Sequence, residues 1–258
     1  TTYLVPDDYN LIQVAIEASI DGDSIIVSPG LYSENIDFLG KEIVVTSLFE
    51  ANDDSTIIGL TIIDAGEDGS VATFKNNETN NSILQGFTLQ NGIGNNQDPD
   101  ENGSFYTYGG GIYCQESSPI IKSCIIENNT ADQGGGGGIF CYNASPKFYN
   151  SIISSNNTDD VGGGLYTREN SNPEFYNCVF EENTAEFGGG CYLRNESVPI
   201  MDDVVFKNNL ANNSGGGISL KDNADLLADN VEIVGNEAEG LGGGLYINNA
   251  DPTFTFLL

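Results

Sequence analysis

The chain of 258 residues contains no histidine, no tryptophan and one methionine, and it sets eight lysines and arginines against thirty-eight aspartates and glutamates. Without histidine there is no Ser-His-Asp or Cys-His catalytic site and no histidine-ligated zinc. A formal charge of −30 leaves no basic footprint for nucleic acid and disfavours an anionic membrane surface. No apolar run approaches the ~18 residues that cross a bilayer. Thr1 to Pro6 carries neither the basic nor the apolar region of a signal peptide, as a mature secreted protein also would not. Five cysteines, odd in number and widely scattered, do not make the dense framework of a disulfide-stapled domain. The partners expected from this balance exclude nucleic acid and membrane insertion.

Glycine is abundant instead, at 32 residues, and the 12 tyrosines and 13 phenylalanines suffice for a core. The glycines are periodic. Gly-Gly-Gly begins at Gly109, Gly136, Gly162, Gly188, Gly215 and Gly242, at spacings of 27, 26, 26, 27 and 27, each followed by an aliphatic residue or cysteine. Asn129, Asn156, Asn183, Asn209 and Asn236 keep the same step, as do Pro119, Pro146, Pro173, Pro199 and Pro252, with Leu226 where one proline is missing. Short alternating runs between Gly, Pro and Asn read as strands. A unit of 26 or 27 residues this rich in Gly and Asn forms a β-coil, stacked on the next at ~4.8 Å.

Stacking in register predicts ladders of like residues. One holds Ile121, Phe148, Phe175, Met201, Ala228 and Phe254, a second Ile126, Ile153, Phe180, Phe206 and Ile233. A third holds Cys124, Ser151, Cys178, Val204, Val231 and Leu257, a fourth Cys114, Cys141, Thr167, Leu193, Leu220 and Ile247. The cysteines therefore read as small buried apolar residues, and the Asn column as stacked amides that satisfy one another. Earlier in the chain, Asp8 to Ser19 places Leu11, Ile12, Ala15 and Ile16 at helical spacing, with Asp7 or Asp8 as N-cap, and predicts a helix over the end of the first coil. Ser24–Val27, Ile43–Thr46, Thr56–Ile63, Val71–Phe74 and Ser82–Leu89 read as strands of irregular coils. The expected organisation is one domain, with a cap and irregular coils over 1–92, an inserted acidic loop over 93–108 and regular coils over 109–258.

The whole chain resembles the right-handed parallel β-helix, or pectin-lyase-like, superfamily. IQVAIEASIDGDSIIVSPGLYSENI is similar to the first coil of such proteins. The GGGI and GGGL units with Phe180–Asn183 and Phe206–Asn209 resemble repeats of polymorphic outer-membrane proteins and other bacterial surface proteins. The resemblance implies an all-β fold, a right-handed parallel β-helix of roughly eight or nine coils with a short N-terminal capping helix. It implies no single activity, because the fold carries lyases, hydrolases, esterases, adhesins and phage spikes.

If the residue after each triplet points inward, the next points out. That column is Tyr113, Phe140, Tyr166, Tyr192, Ser219 and Tyr246, and two residues on run Gln115, Tyr142, Arg168, Arg194, Lys221 and Asn248. Three of the eight basic residues thus stack beside an aromatic ladder, a strip suited to sugar rings and their carboxylate or sulfate groups. The same columns have a structural reading, as mutually stacked rings and surface ion pairs with Glu169, Glu196 and Asp222. Lyases of the superfamily use Arg or Lys as base, often with Ca²⁺, and Arg168, Arg194 and Lys221 are the residues that could imitate this. No cluster of aspartates for a glycoside hydrolase stands out.

Calcium has two candidate places. Asp132, Asp159, Glu186 and Glu239 recur three residues after the Asn column, and stacked carboxylates repel unless a cation joins them. Asp98, Asp100 and Asn102 match the first half of a calcium loop, although its twelfth position is Gly109. The reading that follows is a non-catalytic extracellular or cell-surface solenoid: a surface, adhesive or filament-forming module facing a polysaccharide or cell-surface glycan, with Ca²⁺ as the one cofactor. The alternative is a lyase on a uronic-acid polymer. The apolar Phe254, Phe256, Leu257 and Leu258 add an expectation of end-to-end self-association.

Overall fold

A short strand rich in Gly and Asn cannot bury all its backbone groups within one coil, so it pairs with its own equivalent one coil later. The computed structural model describes residues 1–49, 55–99 and 103–255, and they form an all-β parallel solenoid of about eight coils with one short helix. Each regular coil contributes to three faces. The first face contains Ile120–Lys122, Lys147–Tyr149 and Glu174–Tyr176. The second contains Ile125–Glu127, Ile152–Ser154 and Val179–Glu181. The third, an eight-stranded sheet, includes Ile112–Gln115, Ile139–Tyr142, Leu165–Arg168, Cys191–Leu193, Ile218–Lys221 and Leu245–Asn248. Pairing on these faces is parallel, and the ladders expected from the repeat are the observed registers: Ile121 on Phe148 on Phe175 on Met201 on Ala228 on Phe254, and Ile126 on Ile153 on Phe180 on Phe206 on Ile233. Phe148 stacks on Phe175 with centroids 4.6 Å apart, and Phe180 on Phe206 at 4.7 Å.

The corner between the first two faces is turned by one residue at positive φ: Ser123, Asn150, Asn177, Asp203 and Asn230, all between 50° and 55°. Short polar side chains tolerate this left-handed conformation best. At the next corner the asparagine column is buried. Each amide donates to the next coil's amide oxygen, Asn129 to Asn156 and Asn156 to Asn183 at 3.0 Å, Asn183 to Asn209 at 2.9 Å and Asn209 to Asn236 at 2.8 Å. Each also donates to a carbonyl of the preceding coil, as Asn183 does to Ile153 at 2.9 Å. The glycine triplets line up along one edge, Gly110 donating to Gly136, Gly136 to Val161 and Gly162 to Phe187. A Cβ on Gly163 would lie 2.5 Å from the Gly189 carbonyl oxygen, so the approach of successive coils excludes any side chain there. All five cysteines are free and buried, as small apolar members of the ladders.

Four local expectations need correction. The helix is Ile12–Ala18, and its N-cap is Leu11 rather than Asp7 or Asp8. The carboxylate of Glu34, brought alongside from the next strands, accepts the Ile12 and Gln13 amides at 2.9 and 2.8 Å, while Asp8 instead accepts the Leu4 amide. Ser55–Leu60 is a 3-10 helix, and of the expected strand Thr56–Ile63 only the last three residues are extended, in Thr61–Asp64. Ser82–Leu89 is two strands, Ile83–Gln85 and Thr88–Gln90, because Gly86 at φ 80° turns the corner that Ser123 turns one coil later. The coils before Gly92 therefore continue the same ladders, with Val45 on Leu84 on Ile121 and Leu89 on Ile126. The inserted segment forms an antiparallel hairpin, Asn95–Gln97 against Tyr106–Tyr108. Asp100, Asn102, Phe256, Leu257 and Leu258 lie outside the described residues.

Removal of one rung of the amide ladder tests its weight. Asn183→Ala leaves the Asn156 backbone and side-chain N–H groups and the Ile153 carbonyl without their partners. At ~1–3 kcal/mol per stranded buried group, equilibrium unfolding in urea is expected to show a loss of about 3 kcal/mol or more. An unchanged midpoint would show that the ladder contributes nothing.

Candidate functional site on the outer face of the third sheet

The residue after each of the first five glycine triplets is buried in the core, and Leu245 after the last packs against it, so the next side chain leaves the coil on the other face of the sheet. The register stacks Tyr113, Phe140, Tyr166, Tyr192, Ser219 and Tyr246 as expected. Their environment differs from the expected exposed strip. Tyr113, Phe140, Tyr166 and Tyr192 are buried, at 0, 0, 3 and 5% exposure, in a second hydrophobic cluster with Tyr108, Tyr142, Val161 and Phe187. The cover comes from the residue just before each triplet. Tyr108, Gly135, Val161, Phe187, Ser214 and Leu241 form their own column, paired coil to coil, and Tyr108, Val161 and Phe187 of it pack on the aromatic face. Tyr108 stacks on Phe140 at 4.4 Å above the space left by Gly135, and Phe187 meets Tyr192 at 6.5 Å. These rings form a core beneath an overhang, and a polysaccharide cannot lie along them.

Burial pushes the Tyr166 hydroxyl up to about 12, against the pull of Arg168 and Arg194. The basic column lies beside the rings. Arg168 stands opposite Tyr142 and Lys221 opposite Asn248. Arg194 follows Leu193, which pairs with Thr167 and Leu220, so the three cations do succeed one another along the stack. The Arg168 guanidinium lies 3.7 Å from Glu169, and Arg194 Nε donates to Asp222 at 2.7 Å. Lys221 has no ion pair among the described residues.

One coil breaks the ring ladder, where Ser219 stands in place of an aromatic. A cleft of about 220 Å³ opens there, lined by Phe187, Tyr192 and Tyr246 and by the charged Asp160, Arg194 and Lys221. Ser219 is buried, and its hydroxyl has no hydrogen-bond partner among the described residues. Burial raises the carboxyl of Asp160; Arg194 pulls it back and Glu186 pushes it further up. Asp160, Phe187 and Ser214 escaped the sequence reading. The signal that could have found the latter two is the residue before each triplet, a column with no common chemistry.

The carboxylates considered for calcium do not converge. Asp132, Asp159 and Glu239 are exposed and Glu186 is half-buried. Glu186 accepts from the Asn213 amide at 3.4 Å, and the register shifts at this point of the stack. Asp98 accepts the Gly103 amide at 2.6 Å, the geometry of a turn. Among the described residues no three of His, Cys, Asp and Glu are placed to hold a metal ion, so no step of the function is built on one.

Burial of the tyrosines has a measurable consequence. Tyr166 keeps its proton in the folded state above the usual tyrosine value of 10.0, to about 12, whereas the unfolded chain loses it near 10. The folded state then binds more protons, so stability is intact below pH 10 and falls as pH rises from about 10 to about 12. Tyr166→Ala should cost about 3–5 kcal/mol in urea, as for a core aromatic; a cost within ~0.5 kcal/mol, typical of a surface site, would return these rings to solvent.

The right handed beta helix region family matches residues 48–257. No curated protein matches the chain. With the family covering most of the sequence, and parallel coils stacked in register through the same residues, the chain belongs to the right-handed β-helix family.

Proposed function

We propose that this chain is a non-catalytic extracellular solenoid, a surface or adhesive module that faces glycans. The observation that carries this reading is the state of the stacked cations. A lyase needs a base free to take a proton and a second group to stabilise the resulting enolate. Here Arg168 and Arg194 each hold a carboxylate, Glu169 and Asp222, and Lys221 alone is unpaired among the described residues. The column provides charge for recognition rather than a base with its stabiliser. The −30 charge favours solubility and suits an exposed surface. Burial of every cysteine keeps the thiols from reagents outside.

The test pairs binding with turnover. The chain is immobilised and presented with alginate, pectate, chondroitin and neutral polymers, and the same polymers are incubated with it in solution and followed for the unsaturated product of β-elimination. Retention of at least one polymer without product is the expected result. Product that disappears in Arg194→Ala would establish the lyase instead, and failure to retain any polymer would remove the glycan-facing role.

A further inference from the structure

We propose that the cleft at the missing rung is a binding site for one carboxylate-bearing sugar ring, held between the aromatic ladder and the Arg194 and Lys221 cations. The proposal deepens the glycan-facing reading and rests on it. A solenoid of identical coils has no cavities on its faces, because each side chain is covered by its equivalents above and below. This chain departs from that rule at one coil, where Ser219 interrupts the rings between Tyr192 and Tyr246. The cleft of about 220 Å³ lies at this missing ring, with Ser219 in its lining.

The lining specifies the ligand. The volume falls below the ~300–1,000 Å³ of pockets for drug-sized molecules, which suits a single ring. Tyr192, Tyr246 and Phe187 offer apolar faces to its C–H groups. The lining carries two cations, Arg194 and Lys221, and one carboxylate, Asp160. Arg194 already holds Asp222, so Lys221 is the group left for an anion; its ammonium is a point charge that takes a carboxylate without a fixed fork. Asn248 lines the cleft as well and has hydrogen-bonding capacity for ring hydroxyls. A terminal acidic sugar of a glycan and a free sugar acid share this chemistry.

The experiment is calorimetric titration of the full chain with D-glucuronate, D-glucose and acetate, on the parent, Ser219→Phe and Lys221→Gln. D-Glucuronate is expected to bind saturably, with glucose and acetate at least about tenfold weaker, since each lacks one half of the recognition. Ser219→Phe restores the ring found in the neighbouring coils; it should abolish binding while leaving the melting temperature unchanged or higher. Lys221→Gln should weaken glucuronate about tenfold and bring it level with glucose. The proposal is overturned if glucuronate does not saturate, if glucose binds equally well, or if Ser219→Phe folds and binds as the parent does. Should Ser219→Phe fail to fold, unaltered glucuronate binding by Lys221→Gln overturns it alone. Polymer retention that survives in Ser219→Phe would sink this site and leave the glycan-facing reading standing. Saturable glucuronate binding without polymer retention would do the reverse.

Discussion

Everything in this fold depends on hydrogen bonding between equivalent residues of successive coils. Because a strand pairs with the next copy of itself, a residue chosen at one level constrains its equivalents above and below. The glycine triplets show the constraint at its tightest: the Gly136 amide meets the Val161 carbonyl and the Gly137 amide the Gly162 carbonyl, leaving no room for a Cβ between coils. The asparagine ladder shows the same constraint met by side chains. Each amide satisfies a backbone N–H, a backbone carbonyl and its own neighbour, so a turn that would otherwise bury unpaired groups is closed at every level.

That vertical identity explains which features could be read from the residues alone. Columns of one chemical type, the Gly triplets, the Asn ladder and the Phe148–Phe175 and Phe180–Phe206 stacks, announce their register because their partners look alike. The overhang column does not. Tyr108, Gly135, Val161, Phe187, Ser214 and Leu241 share a position but no chemistry, so nothing in them reveals that they cover the outer face of the third sheet. Without that cover the aromatic ladder reads as exposed; with it, Tyr113 and Phe140 are fully buried. The helix cap failed for a related reason. Local sequence nominates Asp7 or Asp8, but the carboxylate that reaches the Ile12 and Gln13 amides is that of Glu34, brought there by the coil. The split at Gly86 was hidden because its equivalents are Ser, Asn and Asp, residues that turn the same corner with different side chains.

The few cations follow the same vertical rule. Lys147 sits directly over Glu174 and bonds to it at 3.0 Å; Lys207 sits over Glu181 at 2.6 Å. Half-exposed pairs of this kind contribute only ~0–1 kcal/mol each. Their larger effect is on register, because a slip of one residue would replace an opposite charge with whatever lies beside it and turn every apolar side chain to the wrong face. Lys41 serves differently: its ammonium takes the carbonyls of Ile16, Glu17 and Ser19 at the C-terminal end of the helix and fixes it against the first coil. Against this background Lys221 is the exception in a column whose other two cations are paired.

The exception and the missing ring occur in the same coil, and that coincidence is the strongest argument for function in a chain whose repeats otherwise serve stability. Loss of an aromatic from a stacked column removes contacts on two sides at once, from Tyr192 below and Tyr246 above. A serine in its place also buries a hydroxyl with nothing to bond, which burial penalises rather than rewards. Both changes work against the fold, and no compensating contact fills the space. In a structure where every level is free to copy its neighbour, a level that departs from it at stability's expense, beside an unpaired cation, has the composition of a site rather than of a scaffold.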